Sequence, residues 1–148
     1  MRLKHKGFTL IELVVVITIL GILAAFAIPR FTALDKQARI ASINALAGSL
    51  RSAAALAHAS YLAQGTNPAT ITMEGQSIAL TNGYPDTTAG GIQSTLQDFS
   101  GFTPALTATT ATFTMNSAPT PATCSVVYTP PTVAGNAATV GTLQTGGC

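Results

Sequence analysis

The chain has 148 residues, room for one domain of ordinary size, and only 8% of them are charged, against roughly 25% in a typical soluble domain. All seven basic residues fall between Arg2 and Arg51, and from Leu62 to Cys148 the only charges are Glu74, Asp86 and Asp98. Clustered Lys and Arg, which a nucleic-acid surface requires, are missing from that C-terminal part. Its titratable groups are too sparse for a catalytic centre, so neither an enzyme nor a cofactor or metal is expected.

The first segment is a run of apolar residues from Phe8 to Ile28, interrupted by Thr9, Glu12, Thr18 and Gly21. As a helix it rises about 30 Å, the hydrocarbon thickness of a bilayer. Arg2, Lys4 and Lys6 precede it and Arg30 follows. That bias places the N-terminus in the cytoplasm and the remainder outside. Two plain readings compete. One is a cleaved signal peptide with Ala25-Phe26-Ala27 as its cleavage site, which would make this an ordinary exported protein. The other is a simple membrane anchor, for which Glu12 is a needless cost of about 2.5–3.5 kcal/mol. A third reading gives Glu12 a purpose. Cleavage after Gly7 would leave the amine of Phe8 one helical turn from Glu12, as an ion-pair partner within one chain or between neighbouring copies.

The stretch Gly7-Phe8-Thr9-Leu10-Ile11-Glu12-Leu13 behind a short basic leader resembles the signature of type IV pilins and the related pseudopilins. The resemblance extends through Pro29 and implies a definite set of events. A prepilin peptidase/methyltransferase cuts after Gly7 and methylates Phe8. The precursor crosses the bacterial inner membrane once, and the pilus assembly machinery then builds a homopolymer outside the cell, with Glu12 guiding each subunit. Within the family, "ELVVVITILGILAAFAIPRF", "GSLRSAAALAHA" and "NGYPDTTAGGI" look most like the mannose-sensitive haemagglutinin type, whose pili serve surface attachment. A pseudopilin of type II secretion shares the same N-terminus. Its calcium site needs several carboxylate oxygens, however, and no Asp or Glu follows Asp98.

Residues 1–7 therefore read as leader, 8–29 as the membrane and filament-core half of one long helix, and 30–63 as its amphipathic half. Gly21 and Pro29 mark a weak, kinked stretch between the halves. Ile43, Leu46, Leu50, Ala54, Ala57 and Tyr61 recur at helical period and form one apolar stripe. His58, beside the stripe, reads as packing. Gly65 to Pro68 ends the helix.

Residues 64–148 read as a head that opens with a connecting loop. "ATITM" and "SIAL" around Glu74-Gly75-Gln76 predict a hairpin. "NGYPDTTAGG" reads as loop and "IQSTLQDF" as one short turn or helix. "TATFTM", "CSVVY" and "AATVGTL" follow as three strands, with the prolines between the runs. Phe113 and Met115 face one way, Thr112 and Thr114 the other. The fold class is thus α+β, a long N-terminal helix packed on a small antiparallel sheet. Cys124 and Cys148 are an even pair in an exported chain and read as a disulfide, the alternative being two free thiols.

Overall fold

The computed structural model describes residues 7–148. Arg2, Lys4 and Lys6, expected to belong to a leader, lie outside the described residues. Helix α1 (Leu10–Gln64) is followed by strands β1 (Thr70–Met73), β2 (Gln76–Thr81) and β3 (Tyr84–Pro85). Then come β4 (Phe102–Leu106), β5 (Ala111–Met115), β6 (Ser125–Thr129) and β7 (Thr139–Val140). The chain divides into two compact units between Gln37 and Ala38.

In the second unit the stripe on α1 is buried as its spacing requires. Ile43, Leu46, Ala47, Leu50 and Ala54 pack with Phe113, Val126 and Tyr128 in the main core. One turn further on, Ala57 packs with Ile71 and Ile78 in a smaller one, with Tyr61 half-buried at its margin. The strands form two antiparallel sheets where the sequence had indicated one. Their orders are β1-β2-β3 and β4-β5-β6-β7, so within each sheet every connection joins neighbours. In β5, Ala111, Phe113 and Met115 are buried while Thr112 and Thr114 are half-buried, as the alternation predicts.

The predicted hairpin is present, with Ile71 opposite Ile78 and Met73 opposite Gln76. Its two turn residues, Glu74 and Gly75, both have positive φ, the pattern of a two-residue turn matched to strand twist. Asn82 and Gly83 repeat this between β2 and β3. Gly83 is required there for space as well, because a Cβ would lie 2.7 Å from the Tyr61 ring. Across the same turn His58 stacks on Tyr84 at 4.1 Å between ring centroids, and its Nδ1 lies 2.9 Å from the Gly83 carbonyl. His58 is thus a packing residue, as read.

"IQSTLQDF" forms a short 3-10 turn, Ile92–Thr95, in keeping with the short turn or helix read there. Three features of the head differ from the sequence reading. "NGYPDTTAGG" contains the short strand β3. "AATVGTL" pairs as a strand only at Thr139 and Val140. Strand β4, read as no strand at all, holds Pro104 opposite Phe113. β3 and β4 are edge strands, where a missing proline N–H leaves no ladder bond unmade.

Two cross-links hold the head together. The hydroxyl of Tyr128, buried in β6, donates to the carbonyl of Pro85 in β3 at 2.8 Å and so joins the two sheets. Cys124 and Cys148 form a disulfide with Cα atoms 5.0 Å apart. The tail it closes is also held by main-chain bonds between Ser125 and Gln144, and by Arg39 Nη1 donating to the Cys148 carbonyl at 2.9 Å.

Replacing both cysteines by serine should lower stability by about 2–5 kcal/mol in denaturant titration of the detergent-solubilised chain. Tyr128→Phe should cost about 1–3 kcal/mol, since it strands a buried carbonyl. Burial first, then the nearby charges of Tyr84 and Asp86, push the Tyr128 phenol above its ordinary value of 10.0. A raised folded-state value means that this contribution is complete below pH 10 and is lost as pH rises beyond it. Melting temperatures above pH 10 should therefore fall more steeply for the parent chain than for Tyr128→Phe.

Candidate assembly segment

Gly7, Phe8 and Thr9 precede α1 and are not helical. The Gly7–Phe8 bond therefore lies in irregular, exposed backbone. A Cβ on Gly7 would meet nothing within 4 Å among the described residues. Any demand for glycine at this position thus comes from something outside the chain's own packing.

Helix α1 begins with a reciprocal cap built by Thr9 and Glu12. The Glu12 backbone N–H donates to Thr9 Oγ1 at 3.3 Å. In return the Thr9 backbone N–H donates to Glu12 Oε2 at 2.8 Å, and the Thr9 hydroxyl donates to the same oxygen at 2.7 Å. This is the S/T-x-x-E capping box, which satisfies helix-start donors that otherwise have no partner. The carboxylate also sits at the positive end of the helix dipole. In this structure, then, the partner of Glu12 is the start of its own helix. The sequence reading looked for that partner only in the Phe8 amine and missed Thr9. The signal is present in Thr9-x-x-Glu12, where the sequence reading counts Thr9 only as an interruption of the apolar run. Both bonds to the carboxylate fall on Oε2, which leaves Oε1 for a second donor.

Beyond the cap, every large apolar side chain from Phe8 to Leu34 is exposed, Phe8 at 89% and Phe26 at 76%. An apolar surface so long and continuous marks a lipid or protein contact. This part of α1 is long and apolar enough to cross a membrane. Its polar interruptions are satisfied locally. Thr18 donates to the carbonyls of Val14 and Val15, and Thr32 donates to that of Pro29. The helix assignment continues unbroken through Gly21 and Pro29. Pro29 has no N–H to offer the carbonyl of Ala25, so the ladder lacks one bond there.

Residues 2–28 match the prokaryotic N-terminal methylation motif. The chain is 54% identical over 55 residues to the type IV narrow pilus major component PilA5 of Thermus thermophilus, a match covering 37% of this chain and 47% of that protein. It is 42% identical over 53 residues to the type IV major fimbrial protein FimA of Dichelobacter nodosus, covering 36% of this chain and 34% of that one. The chain thus spans less than half the length of these relatives. No solved structure matches it. These likenesses are to type IV pilins and rest on the methylation motif and on about a third of the chain.

Proposed function

We propose that this chain is the repeating structural subunit of a type IV pilus. The observation that carries the reading is a long exposed apolar helix start holding a single acid, Glu12, whose carboxylate is oriented by Thr9. The leader is cut after Gly7, and Phe8 becomes the methylated N-terminal residue. Before assembly the helix crosses the inner membrane with the N-terminus on the cytoplasmic side. In the filament the same side chains are buried among copies of themselves. The new amine of Phe8 is a cation in a low-dielectric core, where an unpaired charge is costly and a paired one is not. A growing filament therefore accepts a subunit where the amine of one copy meets Glu12 of another. Peptidase and assembly machinery are partners at the two ends of this path, and Gly21 and Pro29 supply the weak stretch of the stem.

The filament serves attachment to surfaces, as in the mannose-sensitive haemagglutinin type that the sequence resembles. A type II secretion pseudopilin is the second reading. The absence of any acid after Asp98 favours the pilus, because calcium sites need several carboxylate oxygens.

Glu12→Ala should leave the processed subunit in the membrane and abolish filaments in sheared fractions viewed by electron microscopy. Abundant normal filaments from that variant would refute the pairing. Gly7→Asp should stop processing, and immunoblots of membranes should show only the full-length precursor.

A further inference from the structure

Arg51 stands apart in the charge pattern of the head. The unit Ala38–Cys148 contains two guanidinium groups, and Arg39 is engaged with the Cys148 carbonyl. Arg51 is exposed and makes no hydrogen bond or ion pair among the described residues. It rims a hollow of about 170 Å³ beside Ala55, Tyr84 and Val140. A second hollow, of about 550 Å³, is rimmed by Ser52 and Leu56 of α1 and by Glu74, Gln97 and Asp98.

These two hollows lie on opposite flanks of α1. With the buried stripe through Leu50 and Ala54 facing the sheets, successive residues turn by about 100°. Arg51 and Ala55 then fall on one side of the stripe, and Ser49, Ser52 and Leu56 on the other. One flank carries the free cation and the other carries two of the three acids of the unit. Those acids are held in place. Glu74 accepts from Gln97 Nε2 at 3.0 and 3.1 Å, and Asp98 accepts from the Ser100 backbone N–H at 2.6 Å. The latter bond, with the Ser100 hydroxyl, holds the Asp98 carboxyl below its ordinary range, so it is charged at neutral pH.

We propose that the two flanks are the two halves of one contact between copies, in which Arg51 of one chain enters the Glu74–Asp98 hollow of the next. Two different, complementary patches on one molecule form a heterologous contact, and such contacts propagate into open helical arrays and not closed dimers. The inference rests on the reading of the chain as a filament subunit and adds the register of the heads. An exposed ion pair adds little net attraction, so the attraction comes from the apolar stems. What the charges control is which flank meets which, because like charges brought together at an interface are strongly disfavoured.

The test compares Arg51→Glu, the double variant Glu74→Arg/Asp98→Arg, and the triple variant carrying all three changes, in cells that assemble the parent chain. Filament mass in sheared fractions and the melting temperature of detergent-solubilised subunits are measured. Each of the first two variants should lose filaments about tenfold or more, with the melting temperature of Arg51→Glu unmoved, and the charge-swapped triple variant, which shares with the double variant the loss of the Glu74 and Asp98 bonds within the head, should recover to within about twofold of the parent. Undiminished filaments from Arg51→Glu would overturn the proposal, as would a loss that the triple variant does not recover. Either result, with the parent chain still polymerising, sinks the head contact and leaves the filament reading standing. Absence of filaments from the parent chain would sink the filament reading itself.

Discussion

Among the described residues, the apolar side chains from Phe8 to Leu34 have no cover. At about 25 cal/mol per Å² of apolar surface, leaving so many large side chains in water is untenable. Lipid and a bundle of identical helices are the two media that remove the cost. In both, the single acid Glu12 is the exception that must be handled. The Thr9–Glu12 cap handles it in the isolated chain without any second molecule. The cap uses one carboxylate oxygen, so it does not compete with a later partner at the other. Thr9 thus connects two roles: it starts the helix, and it aims the acid.

The head is built with modest means. Its large buried side chains are few, among them Tyr128, Phe113, Ile43, Leu50 and Ile78, and alanines fill much of the helix face that meets them. A core of this size gains from covalent closure, and the disulfide joins positions 24 apart in sequence across a stretch rich in Gly, Pro and Thr. The Tyr128–Pro85 bond performs a similar task between the two sheets. Because few charges decorate this head, copies packed as proposed would repel one another little, and the charges that remain would decide their orientation.

How much of this was legible depends on what each residue answers to. The stripe on α1 was legible because 3.6-residue periodicity is a property of the helix itself and its cover is nearby. β5 was legible because Phe113 and Met115 alternate with threonines. β4 was hidden by Pro104, which argues against a central strand but is harmless at an edge, and edge position is a fact about the other strands. β7 looked longer than it is because a β-prone composition does not say how many residues find a partner. The cap at Thr9 was written in the sequence, yet the apolar run around it drew the reading toward the membrane. The two flanks of α1 were not legible at all. Arg51, Glu74 and Asp98 are far apart in sequence, and only the folded head sets their hollows on either side of one helix.

The account turns on the stem being released from its leader and then buried among its own kind. Intact mass and N-terminal sequencing of the protein in sheared extracellular filaments test this most directly. The account predicts a chain that starts at Phe8 and carries one added methyl group, recovered in polymeric form. A chain starting at Ile28 and recovered as dissolved single molecules, or one still starting at Met1, would contradict it.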